Sequence, residues 1–200
     1  LFLSSQALLS RLLKLLPLNL VFFLLLPGIF LHEFSHILMA ELLQVRTGEL
    51  RLKPELKDGH LNLGSAQIAL TDPFRLTLIG TAPFISGILA LWLLLQFGLN
   101  LHFDHLAFPV FFAWWQALII YLIFAISNTM FSSPSDLQAS ALPIIFVLML
   151  LGLFKLINLN LPASLPIYLN NFFFLLATIF LITLGLNLIL LIPFNLIRNS

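Results

Sequence analysis

Long apolar runs alternate with short polar interruptions along this chain, and the lengths of the runs predict its elements. Five runs reach the roughly 20 apolar residues that a membrane-crossing helix needs. They are about Leu18–Leu43, Phe74–Phe97, Ala107–Phe131, Leu137–Ile157 and Asn171–Ile192. Ahead of the first, Leu1–Leu16 sets Arg11 and Lys14 among leucines. That pattern suits an amphipathic segment on a membrane surface, and equally the remnant of a further span. Between the first two runs the period changes. Glu49-Leu50-Arg51-Leu52-Lys53 alternates polar and apolar residues, as does His60-Leu61-Asn62-Leu63, with the turn signal Lys57-Asp58-Gly59 between them. Gln44–Arg75 therefore predicts a β-hairpin or small sheet at the membrane face. Its edge is either a strand-addition site for an extended peptide or an ordinary solvated hairpin, and the pattern leaves both open.

Breakers and small residues refine this outline. Pro27 predicts a kink a little over one turn before His32. Such a kink admits water to the helix, or reflects the general frequency of proline in membrane helices. Gly80-Thr81-Ala82-Pro83 and Ser86-Gly87 put small residues near the start of the second run, where they let helices approach closely. Gly98–His105, with His102, Asp104 and His105, reads as an interfacial polar loop. Trp114 and Trp115 fall in the first half of the third run, and Pro162 and Pro166 mark the loop between the fourth and fifth.

Composition sets the class. Hydrophobic residues make up 60% of the chain and charged residues only 8%, far from the roughly 25% charged of a soluble domain. The expected fold is an all-α polytopic membrane protein of about five transmembrane helices, with the small β-hairpin between the first two. It forms one integral membrane domain over 1–200: a segment 1–16, a three-span core 18–137 holding the hairpin loop 44–75, and two further spans in 137–193. A net charge of +1 without basic clusters argues against nucleic-acid binding. The chain has no cysteine, which leaves His, Asp and Glu as candidate metal ligands.

Within the first run stands His32-Glu33-Phe34-Ser35-His36. Positions i and i+4 share a helix face, so His32 and His36 can offer two imidazole nitrogens to one metal ion, with Glu33 beside it. Two neutral histidines and an adjacent carboxylate that accepts a proton are what a zinc hydrolase requires. Three ionisable residues at membrane depth, each costing roughly 2.5–3.5 kcal/mol, point to a common purpose. The second chemical cluster is Asn128-Thr129-Met130-Phe131-Ser132-Ser133-Pro134-Ser135-Asp136. Two histidines leave a catalytic zinc one protein ligand short. Counting spans brings the end of the third run to the same membrane face as His36, which makes Asp136 the candidate third ligand. The competing role for Asp136 is in a capping box, Ser135-Asp136-Leu137-Gln138, at the start of the fourth span.

These residues together resemble the site-2 protease family of intramembrane zinc metalloproteases. The pairing of H-E-F-S-H with Asn128, Pro134 and Asp136 at that spacing carries the resemblance, which covers roughly Leu18–Leu137. Three positions differ from the family's pattern. Leu137 stands where Gly usually follows the aspartate, Phe131 where Pro is frequent, and Ser86 where the second span often has Asn; an inserted PDZ-like domain is also absent. The resemblance implies a zinc ion held by His32, His36 and Asp136, and Glu33 as general base. Asn128 would orient the substrate peptide or stabilise the oxyanion. The implied activity is hydrolysis of a peptide bond inside the bilayer, in a transmembrane segment of a membrane-protein substrate.

Other classes account for less. A catalytically inactive, zinc-binding member acting as a membrane scaffold keeps the ligands and loses turnover. A diiron oxygenase needs more histidine boxes than five histidines arranged this way supply. A transporter leaves the Asn128–Asp136 spacing unexplained. Charge near the span ends predicts orientation. Arg46, Arg51, Lys53, Lys57, Arg75 and Arg198 fall on the hairpin face, against Arg11, Lys14 and Lys155 on the other, so the hairpin face and the active site are expected toward the cytoplasmic side of a cell inner membrane or its organellar equivalent.

Overall fold

The helix that carries the histidines is the axis of the structure. A computed structural model of the protein describes residues 2–53, 55–57, 60–62, 64–98, 114–130 and 165–198, together with 145, 148, 149, 152 and 153. Helix α2, Leu18–Leu42, is apolar on nearly every side and follows Pro17. Its 25 residues span about 37 Å at ~1.5 Å each, more than the roughly 30 Å of a bilayer's hydrocarbon core. Pro27 lies inside it, and the helix continues through that position as one element. The C-terminus closes with Gln44 in the left-handed region at φ 56°, the N–H of Val45 donating to the Ala40 carbonyl at 2.8 Å. That is a Schellman-type ending made without glycine, and its apolar contact joins Val45 to Ala40 and Ile79.

Strand β1, Thr47–Arg51, then pairs antiparallel with β4, Ser65–Ile68, around an inner antiparallel pair of β2, Glu55–Lys57, and β3, His60–Asn62. Lys57 stands opposite His60 at the end of the inner pair. The alternation read from the sequence is thus a small antiparallel sheet, and β1 and β4 both lie against α2.

Helix α3, Pro73–Leu93, begins as its residues dictate. Asp72 is the N-cap, its carboxylate accepting from the Arg75 N–H at 3.0 Å, and Pro73 occupies the first turn, where its missing N–H costs nothing. The helix ends in a wide π turn over Leu94–Gly98. Helix α4, Trp114–Thr129, packs on both α2 and α3. A Cβ at Gly28 would fall 2.3 Å from the Ala125 carbonyl oxygen and 2.3 Å from the Thr129 hydroxyl, so only glycine allows the approach of α2 to α4. A Cβ at Gly87 would meet the Met130 side chain at 2.7 Å, closing α3 onto the end of α4.

Two helices complete the described bundle. Helix α1, Phe2–Leu15, buries Leu8 and Leu12 in a cluster with Val21, Phe22, Leu25, Ile29 and Phe124, so the N-terminal segment packs into the bundle through its leucine face. Helix α5, Leu165–Arg198, is longer than the run Asn171–Ile192 suggests. It takes in Pro166, expected in the preceding loop. The correction has a simple cause, since a proline in the first helical turn forfeits no intrahelical bond. Among the described residues two helices, Leu18–Leu42 and Pro73–Phe97, are long and apolar enough to cross a membrane. The expected span Leu137–Ile157 and the loop residues His102, Asp104 and His105 lie outside the described residues or nearly so.

Candidate functional site

The site is built on the middle of α2. His32 and Glu33 are both buried there, and His36 is half-buried one turn on. The imidazole rings of His32 and His36 meet edge to face, with centroids 5.0 Å apart and an interplanar angle of 81°. This is the face sharing that i, i+4 spacing dictates. Ser35, between them, turns its hydroxyl back onto the His32 carbonyl at 2.6 Å and keeps its own polarity within the helix.

Neighbouring elements fix these side chains. Nδ1 of His36 lies 2.9 Å from the carbonyl oxygen of Ile79 on α3. A carbonyl can only accept, so Nδ1 carries the proton and donates it, leaving the lone pair on Nε2. That is the tautomer and the outer hydrogen bond of a metal-ligating histidine. Ile79 is buried beside Ala40 and Val45, so the carbonyl's position is set by packing. Nδ1 of His32 is itself shielded from solvent.

The sheet reaches Glu33 from the other side. Gly64, between β3 and β4, is buried, and a Cβ built on it would lie 2.9 Å from Cγ of Glu33 and 3.2 Å from Oε1. Real Cβ atoms avoid such distances, so any larger residue here must shift the sheet or the carboxylate stem it touches. The strand pair is therefore seated on the candidate base, and β4 runs directly from that point.

Asn128 is bonded within the bundle. On the last turn of α4 its Nδ2 donates to the Phe124 carbonyl at 2.9 Å and to Oδ1 of Asn187 at 2.9 Å. Its Oδ1 accepts from Nδ2 of Asn187 at 2.8 Å. Asn187, on α5, is wholly buried and also donates to the Ser4 hydroxyl on α1 at 3.3 Å. Asp136, expected as the third metal ligand, lies outside the described residues, as do Pro134 and Leu137. Among the described residues, no group of three or more His, Cys, Asp or Glu side chains converges on one point.

The donors present nonetheless suit a zinc ion: two imidazoles on one face, one of them with its tautomer fixed by a carbonyl, and an adjacent buried carboxylate. Sequence reasoning missed three participants. The Ile79 carbonyl and Gly64 gave no signal, because a backbone oxygen and a close approach are tertiary facts. Asn187 did give one, being the one asparagine well inside an otherwise apolar run. Comparison with family models, with curated proteins and with solved structures finds no match to this chain.

Proposed function

We propose that the protein is an intramembrane zinc metalloendopeptidase that cleaves a peptide bond within a transmembrane segment of a membrane-protein substrate. The single observation that carries this reading is the His32–Glu33–His36 constellation on a 25-residue apolar helix, with His32 and Glu33 buried and His36 held by the Ile79 carbonyl. Support for the bilayer setting comes from large apolar side chains left exposed around the helices, among them Phe23, Leu38, Phe74, Leu76 and Trp114. Water would penalise that surface, and lipid tails would not. In this reading the chain is multi-pass with about five spans and lies in a cell inner membrane or an organellar one. Six residues separate His36 from Leu42 at the end of α2, which at ~1.5 Å each would put the site roughly 9 Å beneath the surface.

His32 and His36 would hold the zinc with Asp136 as third ligand. When bound, zinc polarises the scissile carbonyl and acidifies the attacking water. Glu33 accepts the proton of that water and delivers it to the departing amine. A helical substrate has its carbonyls engaged in its own hydrogen bonds and must unwind before attack. The β4 segment beside Gly64 and Glu33 is suited to receive the unwound chain as an added strand.

A second reading, a catalytically inactive zinc-binding scaffold of the same family, is favoured by one observation. Asn128, expected on the substrate, is bonded to Asn187 instead. Elemental analysis of the purified chain beside His36→Ala and Asp136→Ala, with cleavage of a transmembrane reporter, tests both readings. Near one zinc per chain, lost in both variants, together with cleavage, is the protease outcome. Zinc without cleavage is the scaffold outcome, and a chain purified without zinc overturns both. The orientation has its own test: Asp58→Cys is expected to label only after permeabilisation and Asn100→Cys in intact cells.

A further inference from the structure

Both hydrogen-bond donors of Asn128 are committed. A carboxamide has two N–H donors, and those of Asn128 go to the Phe124 carbonyl and to Asn187, at 2.9 Å each. Its oxygen accepts from the same Asn187 side chain at 2.8 Å. The two amides thus exchange a donor and an acceptor reciprocally, between α4 and α5. One residue of an extended chain offers the same pair, an N–H and a C=O on one edge, as it does to its partner in an antiparallel ladder. A residue within a helix does not, because its N–H and C=O point opposite ways along the axis and are already bonded.

We infer that Asn187 occupies, on Asn128, the two-bond position that the backbone of an extended substrate residue takes, so that α5 must release Asn128 before a substrate is held. The inference rests on the protease reading for Asn128's contact with substrate. In these terms Asn187 is a positioning residue that acts through Asn128. On Asn128 the exchange swaps one reciprocal pair for another made by backbone, so side-chain sequence does not enter. What it selects is backbone form: an unwound residue can replace Asn187, and a helical one cannot. The Ser4 hydroxyl gives the released amide a partner to retain, since Asn187 already donates to it at 3.3 Å. A buried amide left with no partner would be costly, and Ser4 reduces that cost.

Binding tests this without requiring turnover. The probe is a fluorescein-labelled apolar peptide of about 25 residues, long enough to span a bilayer, with a central Pro-Gly break, in phosphatidylcholine nanodiscs. Its affinity is measured for full-length Glu33→Gln protein with Asn187 present and with Asn187→Leu. Removing the competitor is expected to tighten binding about two- to tenfold, the range one net hydrogen bond supplies. An unbroken polyleucine span should gain nothing. Equal or weaker binding of the Pro-Gly peptide by a folded Asn187→Leu protein, or no binding by either protein, overturns the inference. Should Asn187→Leu fail to fold, side-chain amide NMR of 15N-asparagine-labelled Glu33→Gln protein decides. Saturating peptide must then shift the Asn128 and Asn187 signals together, and an unmoved Asn187 signal overturns the inference. Zinc content and cleavage by the unsubstituted chain are measured in parallel. An Asn187 effect without zinc or cleavage removes the protease reading alone, and cleavage without an Asn187 effect removes the inference alone.

Discussion

Nδ1 of His36 lies 2.9 Å from the carbonyl oxygen of Ile79, and this contact ties the chemistry of α2 to the backbone of α3. The carbonyl sits one residue before Gly80, within the small-residue stretch that lets α3 come close. Helix packing and the orientation of the His36 ring are therefore linked here. Whatever separates α2 from α3 breaks this contact, and α2 is held on its other side by α4.

That coupling makes Gly28 the first position to test. A Cβ there would lie 2.3 Å from both the Ala125 carbonyl oxygen and the Thr129 hydroxyl, and the carbonyl is backbone that cannot rotate aside. Gly28→Leu is expected to cost at least the 1–3 kcal/mol of ordinary overpacking, and to lower zinc content with it. Thermal unfolding in detergent and elemental analysis read the two effects. A stable, fully loaded Gly28→Leu protein would contradict the described α2–α4 contact.

Under the proposed mechanism Glu33→Gln removes the proton acceptor and almost nothing else, since the two side chains are close to isosteric. We expect an unchanged unfolding temperature, unchanged zinc and no detectable cleavage of a transmembrane reporter. Cleavage by this variant would move the base to another residue.

Gly64→Ala acts on the same carboxylate from outside α2. The added methyl would press on Cγ, Oε1 and the carboxyl carbon of Glu33 at 2.9–3.3 Å. Displacing a base by a fraction of an ångström to an ångström is worth about tenfold to a hundredfold in rate. The expected result is a fall of that size in kcat with zinc retained. Unchanged kcat would show that the sheet yields instead of the side chain.

Asp72, outside the spans, carries a pH effect. The Arg75 backbone N–H that it accepts, with the Arg75 guanidinium beside it, holds its carboxyl below the ordinary value. A lowered folded value means that this cap stabilises the protein above the unfolded carboxylate value and loses that contribution as pH falls through the folded one. Asp72→Asn still caps the helix but cannot titrate. Acid unfolding monitored by circular dichroism should therefore show a shallower decline for Asp72→Asn at the low end. Parallel curves would leave Asp72 without a role in acid sensitivity.

The sequence by itself determined the local chemistry. The spacing of His32 and His36 dictates a shared face, because helical geometry is independent of what surrounds it, and the alternation in Gln44–Arg75 dictates strands for the same reason. Pro73 after Asp72 marks the start of α3 through local capping alone. Tertiary structure decided what those residues meet. Nothing in the periodicity says that the Ile79 carbonyl faces His36, or that Gly64 lies over Glu33, since both depend on two segments arriving at one place. Gln44 in a left-handed conformation was equally hidden, because the Val45–Ala40–Ile79 contact holds it there against its intrinsic preference. Asn128 marks the boundary between the two: the family resemblance implies a substrate contact for it, and only the arrival of α5 supplied Asn187 as its partner. A buried amide must satisfy both its donors and its acceptor, and which group does so is settled by packing at long range.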